Sequence, residues 1–243
     1  MVGKRMWTRS LVSLTVDAPE VRFVAGQFAR LALPAPEGHL EPMIGRPYSF
    51  VNPPHVSPHE FYFIVVEQGP LSPRLAALDA GDPIWLAPRA NGFFSVTEIP
   101  PAEALWCLST GTGIGPFLSM LRTEETWSAF QRVVLVHAVR HAEELTYLDT
   151  VADVATARPG AFTYIPMVSR DTHPDALAGR IPAAIDDGRL EARAGIALSP
   201  ANSHAMLCGN PAMVDDTQKV LAARGMRRHR RREPGHVTLE TYW

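Results

Sequence analysis

Residues 104–121 read ALWCLSTGTGIGPFLSML: a short apolar run, glycines at 111, 113 and 115, and then Pro116 opening an apolar helical stretch. Strand, glycine turn and helix in direct succession constrain this chain more than any other feature. Repeated along a sequence, they imply right-handed crossovers and a parallel sheet. The pattern does recur. RVVLVHAV (132–139) is a second apolar strand of the buried type, AFTYIPMVS (161–169) a third and HAMLCG (204–209) a fourth. FLSMLRTEE (117–125) reads as the helix after the first strand, and PAMVDDTQKVLAAR (211–224) as the helix after the fourth.

The first 98 or so residues have another rhythm. Short β-type runs, SLVSLTV, VRFVAGQFARLAL, YSFVN, EFYFIVVE and DPIWLAP, alternate with turns rich in Pro, Gly and Asn, as in an antiparallel barrel or sandwich. One helical piece interrupts them at SPRLAAL (72–78), with Ser72 read as its N-cap and Pro73 at the first helical position. TEIPPAE (97–103) reads as a linker, so the expected organisation is a β domain over 1–99 and an α/β domain over 100–243.

Composition narrows the function classes. The formal net charge is −2, although residues 227–232 read RRHRRR. Such a run is either a solvated basic face or a docking surface for an acidic partner. The near-neutral total argues against nucleic-acid binding. Two cysteines, Cys107 and Cys208, with no CxxC, exclude a cysteine-ligated zinc site or an iron–sulfur cluster. No signal peptide and no stretch of 18 apolar residues is read, so a cytoplasmic protein without membrane spans is expected. His55 and His59 have i,i+4 spacing, but Pro58 lies between them in a loop, and no metal site is expected. No Ser-His-Asp arrangement is evident.

STGTGIGPF (109–117) lets backbone approach a ligand and presents free N–H groups at a helix start, which suits a pyrophosphate. It lacks the Lys-Ser/Thr of a Walker A loop, and Pro116 stands where G-x-G-x-x-G would have its last glycine. Ligands of parallel sheets sit at the carboxyl ends of the strands. Arg140 and Arg170 stand at two such ends and Arg180 comes shortly after. Three guanidinium groups at one edge suit a phosphate, and an NADP-type cofactor fits both signals. In the first half, RPYSF (46–50) and GPLSPRL (69–75) offer a strand bearing Arg46, Tyr48 and Ser49 and a second phosphate cradle.

RPYS, GPLSPRL, GTGIGPF, VSRD, LCGNPAMV and the terminal ETYW occur here in the order found in bacterial-type ferredoxin/flavodoxin–NADP(+) reductases, and the chain resembles that family over its whole length. The resemblance implies a Greek-key antiparallel β-barrel binding FAD, followed by an NADP-binding α/β domain. Arg46, Pro47, Tyr48 and Ser49 would hold FAD: Arg46 at the pyrophosphate, Tyr48 stacked on the isoalloxazine, Ser49 toward N5. Phe63, Ile64, Val65, Pro70, Leu71, Ser72, Pro73 and Thr112 would complete that site. Arg140, Arg170 and Arg180, with Val139 and Ser169, would take the NADP 2′-phosphate end. Cys208, Gly209 and Asn210 would lie by the nicotinamide, and Asp216 beside the cofactor. Tyr242 would cover the other flavin face and Trp243 would pack on the adenine. Ser49, Cys208, Glu240 and Tyr242 form the implied catalytic group.

The implied activity is electron exchange between NADPH, as hydride, and ferredoxin or flavodoxin, in single-electron steps, by a monomer. The C-terminal aromatics are expected to act as a displaceable lid, and Arg227–Arg232 to help dock the acidic carrier. Two other readings stand beside it: an NAD(P)H-dependent flavin reductase component of an oxygenase system, and a nucleotide-binding module without catalysis.

Overall fold

The computed structural model describes residues 1–242. Its first part holds β1 (Gly3–Met6), β2 (Leu11–Val16), β3 (Phe28–Pro34), β4 (Met43–Ser49), β5 (His59–Ile64), a short α1 (Ser72–Ala76) and β6 (Trp85–Leu86). These strands pair antiparallel in two sheets, ordered β1-β2-β5 and β4-β3-β6. The sheets meet where Phe50 bridges Phe61, and they close into a barrel around Leu14, Leu31, Leu33, Phe50, Phe61 and Phe63.

Several elements differ from the sequence reading. The run 21–33 yields a strand only from Phe28, because Gly26 turns the chain at φ +97°. The strand expected over 48–52 instead runs Met43–Ser49, paired with β3 along its length. At Phe50 the chain crosses between sheets: Phe50 N–H donates to Gln27 O and Val51 N–H to Glu60 O. As an edge strand, β4 tolerates Pro47. Helix α1 ends at Ala76 rather than 78, and Ser72 is not its cap. The Ser72 hydroxyl accepts Val66 N–H at 2.9 Å and so closes the 66–72 turn.

The second part contains β7 (Ala104–Thr110), α2 (Gly115–Leu121), α3 (Glu124–Ala129), β8 (Arg132–Val139), α4 (Leu148–Ala157), β9 (Phe162–Val168), β10 (Leu177–Ala178), α5 (Ile181–Asp186), α6 (Arg189–Ala194), β11 (Ser203–Gly209), α7 (Pro211–Ala223) and β12 (Val237–Thr241). One parallel sheet results, in the order β10-β9-β8-β7-β11-β12. Alternate residues feed its two faces. Leu105, Cys107, Val133, Leu135 and Met206 pack toward α2, α4 and the barrel. Trp106, Leu108, Val134, Val136 and Leu207 pack toward α5, α6 and α7. Burial on both sides explains why these strands read as continuous apolar runs.

The helix expected over 117–125 is broken after Leu121. Thr123 Oγ1 and Thr126 Oγ1 both donate to Met120 O, and Trp127 Nε1 donates to Leu121 O. These side chains take carbonyls that a continuing helix would have used. Strand β12 has no counterpart in the sequence reading. It holds the C-terminal segment beside β11, so the chain is paired as far as Thr241.

A buried polar cluster joins barrel and sheet. The Tyr147 hydroxyl donates to Glu60 Oε1 at 2.6 Å and lies 2.5 Å from Ser13 Oγ, which accepts Trp7 Nε1–H at 2.7 Å. Beside it, Thr146 Oγ1 donates to the Tyr62 hydroxyl at 3.0 Å.

Candidate active site

The carboxyl ends of β7, β8, β9 and β11 open into a cleft of about 390 Å³, closed on the barrel side by Leu11 and Ile64. Thr112, Val139, Arg140, Ser169, Arg170, Arg180, Gly209, Asn210, Asp216 and Tyr242 all line it. Arg140 and Arg170 leave the strand ends at neighbouring backbone positions, because Arg170 N–H donates to Arg140 O at 2.8 Å. Arg180 stands at the start of α5. All three are exposed, and no ion pair among the described residues involves any of them. Asp216 is paired with Lys219 at 3.0 Å.

The floor of the cleft is the glycine turn. A single 3-10 turn over Gly111–Ile114 leads from β7 into α2. A side chain at Gly113 would bring its Cβ within 2.4 Å of Cys208 O, so this turn is pressed against the end of β11. Buried His137 donates from Nε2 to Gly111 O at 3.1 Å, and burial lowers its pKa to about 4, which keeps the ring neutral. Thr110 Oγ1 accepts Asn210 N–H at 2.9 Å. The Asn210 side chain is itself the cap of α7, accepting Ala212 and Met213 N–H groups. Thr110 and His137 therefore hold the two turns, although no motif marks either residue. Only their adjacency to the glycine run and to a strand end could have singled them out.

Deeper lies a compact polar group. The Tyr242 hydroxyl donates to Ser49 Oγ at 2.8 Å, and Ser49 Oγ makes a longer contact of 3.5 Å with Glu240 Oε1. Sheet register puts Cys208 between Ser109 and Glu240. Cys208 is fully buried and does not line the cleft, whereas Gly209 and Asn210 do. Burial raises the Glu240 pKa to about 7, partly offset by the Ser49 contact. Burial and then the nearby Glu240 charge push the Cys208 thiol well up; burial and the Cys208 and Glu240 charges do the same to the Tyr242 hydroxyl. Three proton-bearing groups thus meet at the end of the barrel strand that carries Ser49.

The other barrel residues singled out from the sequence lie on β4, at and just after the end of β5, and at the start of α1. Arg46 and Pro47 are exposed on β4, and Arg46 Nη1 donates to Gly45 O. Tyr48 is half-buried, edge-on to Phe63 at 5.5 Å, with burial raising its pKa to about 12. Phe63 and Ile64 end β5, Val65 comes next, and Pro70, Leu71, Ser72 and Pro73 run into α1. Trp243 lies outside the described residues. His59, considered beside His55, instead places Nε2 3.0 Å from Ala18 O and 3.1 Å from Val21 O. Cys107 is core, packed with Leu105 and Leu135.

A barrel joined to a parallel sheet, with a glycine turn and three arginines sharing one cleft, defines a two-part protein whose cleft suits a phosphorylated nucleotide. Residues 107–219 match the family described as the oxidoreductase NAD-binding domain. The chain is 46% identical to the flavodoxin/ferredoxin–NADP reductase of Shigella flexneri, over 98% of this chain and 94% of that one. Identity and coverage are the same for the flavodoxin/ferredoxin–NADP reductase of Escherichia coli (strain K12). The structure is similar to a ferredoxin NADP+ reductase from Neisseria gonorrhoeae solved with bound FAD and NADP. The TM-score is 0.92 at 33% identity, covering 100% of this chain and 96% of that one. The chain belongs to the flavodoxin/ferredoxin–NADP reductase family.

Proposed function

We propose that this protein is an FAD-dependent reductase that exchanges electrons between NADPH and ferredoxin or flavodoxin, with FAD in the barrel (1–99) and NADP(H) in the α/β part (100–243). The observation that carries the reading is the convergence of a glycine turn and three arginines, none in an ion pair among the described residues, on one cleft that ends at the Ser49–Tyr242 pair. The residues present fit both nucleotides. Arg140, Arg170 and Arg180 suit a 2′-phosphate, with Val139 and Ser169 alongside. Open space above Gly111, where an added Cβ would meet nothing within 4 Å, admits a close backbone approach. Exposed Arg46, also outside every ion pair among the described residues, suits the FAD pyrophosphate. Pro47, Tyr48 and the 63–65 and 70–73 segments would hold the rest of FAD.

FAD held there would supply the redox chemistry that links a two-electron hydride donor, NADPH, to a one-electron carrier. The chain's own residues position and shield. Asn210 and Gly209, fixed by Thr110, would orient the nicotinamide end. Ser49, Cys208 and Glu240 would hold protons and hydrogen bonds around the reacting atoms. Tyr242 would exclude water until nucleotide displaces it, with Trp243 assigned to the adenine.

The carrier would dock against exposed Arg227, Arg228 and Arg232. Arg231 is committed elsewhere: it pairs with Glu98 at 3.0 Å and lies 4.2 Å over the Phe93 ring. Arg230 faces Glu233 at 3.8 Å. Steady-state reduction of purified ferredoxin and flavodoxin by NADPH tests the function. Turnover with either carrier supports it. Activity confined to free flavin, with neither carrier reduced, favours an oxygenase-type flavin reductase.

A further inference from the structure

The loop after β8 is fastened at more points than an ordinary connection. Glu144 Oε2 accepts the backbone N–H of Arg140 at 2.8 Å and that of His141 at 2.9 Å. The His141 ring returns a contact to the Glu144 backbone, completing a reciprocal cap. Asp171, from the loop after β9, accepts Ala142 N–H at 3.3 Å and Thr172 N–H at 2.8 Å. The Arg140 carbonyl accepts Arg170 N–H at 2.8 Å. Both peptide groups flanking the Arg140 side chain are therefore held, one by the Glu144 carboxylate and the other by that carboxylate together with the Arg170 N–H. At its far end the loop is tied to the barrel through Thr146 and Tyr147.

Glu144 lines the same cleft as the three arginines. A carboxylate there would ordinarily oppose a phosphate, and an acidic residue is what takes the ribose hydroxyl in sites that prefer the cofactor without the 2′-phosphate. Here Glu144 Oε2 is already taken by two N–H groups of its own loop, and Glu144 forms no ion pair among the described residues.

We infer that Glu144 is a specificity-determining positioning residue: it fixes the Arg140 backbone so that the guanidinium meets the 2′-phosphate together with Arg170. The inference rests on the NADP reading of the cleft. It makes an acid of the wrong sign for phosphate part of the discrimination between phosphorylated and unphosphorylated nucleotides.

Calorimetric titration with 2′,5′-ADP and with 5′-AMP separates positioning from repulsion. Wild-type protein should prefer 2′,5′-ADP. Glu144→Ala should reduce that preference about tenfold, on the scale of one lost charge-assisted hydrogen bond, while its affinity for 5′-AMP changes much less. Glu144→Asp keeps the charge but draws the oxygen back from both N–H groups, and should lose preference in the same direction. Glu144→Gln keeps an acceptor and should retain most of it. With NADPH as substrate, the loss should appear in KM rather than kcat. Tighter 2′,5′-ADP binding in Glu144→Ala would show that Glu144 only repels the phosphate and would overturn the inference, as would an unchanged preference in both the Ala and Asp variants. A wild-type protein without any preference for 2′,5′-ADP would overturn the NADP reading and the inference with it.

Discussion

The Tyr242 hydroxyl donates to Ser49 Oγ at 2.8 Å, which bonds the last described residue of the chain to the end of a barrel strand 193 positions earlier. Tyr242 also lines the cleft that holds Arg140 and Asn210. In the lid proposal, a nicotinamide entering from the cleft toward Ser49 would have to displace this side chain. Strand β12 limits the motion, because pairing with β11 extends through Thr241 and Tyr242 N–H still donates to Gly209 O at 3.0 Å. The part that would move in that proposal is the Tyr242 side chain, not the whole terminal segment.

Removing that competitor should tighten nucleotide binding. Tyr242→Ser, or truncation after Thr241, is expected to lower the NADP(+) dissociation constant, by about tenfold if the competitor leaves about a tenth of the protein open. The same variants should release FAD more readily on dilution. Titration calorimetry and flavin fluorescence measure the two effects.

Glu240 and His137 should leave opposite marks on stability against pH. The Glu240 pKa is raised to about 7 in the folded protein, so its contribution is fully present below the unfolded carboxylate range and is lost as pH rises through 7. The His137 pKa is lowered to about 4, so its contribution is present above 6.5 and is lost as pH falls toward 4. Glu240→Gln should make the protein relatively more stable at pH 7.5 than at pH 5, by roughly 1–3 kcal/mol against wild type. A neutral replacement of His137 should flatten the acid limb instead. Denaturant unfolding across pH 4–8 distinguishes them.

The Tyr147 cluster gives a stability test at the junction of barrel and sheet. Tyr147→Phe leaves Glu60 and Ser13 without that hydroxyl in a buried setting. About 1–3 kcal/mol of destabilisation is expected, read from the denaturant midpoint at constant m. A cost near zero would mean that water replaces the hydroxyl.

The two halves of the chain differ in how much of their structure is legible in the sequence. β7 and β8 fall on the residues read as strands, because each is covered on both faces and each face supplies its own apolar residues. The barrel is harder to read: β6 has only two residues, and β4 depends on pairing with β3 rather than on an apolar pattern of its own. Strand β12 escapes notice because VTLET, polar at three of five positions, carries little apolar signal and gains its place from β11. Within the site, the arginines and glycines can be read because their chemistry is unusual at strand ends. Glu144, His137 and Tyr147 cannot, since each acts through contacts that exist only after β8 and its neighbours have assembled.

Replacing Arg227, Arg228 and Arg232 together with alanine should weaken carrier reduction at low ionic strength and flatten its salt dependence, because steering by exposed charge is screened within about 10 Å at 0.1 M salt. The rate of flavin reduction by NADPH should stay within about twofold, since these arginines are exposed on the 227–232 run outside the cleft. Stopped-flow rates with ferredoxin and flavodoxin across a salt series provide the measurement. An unchanged salt slope would remove this run from the docking surface.

If one cleft delivers electrons from a 2′-phosphorylated nicotinamide nucleotide to a flavin held by the barrel, the flavin should discriminate between NADPH and NADH. Anaerobic mixing of the purified protein with either nucleotide, read as loss of the flavin's visible absorbance, is the decisive measurement. A yellow protein is expected, bleaching rapidly with NADPH and far more slowly with NADH, and regaining its colour when oxidised ferredoxin or flavodoxin is added. A protein that binds no flavin, or one that NADH bleaches as readily as NADPH, would contradict the assignment.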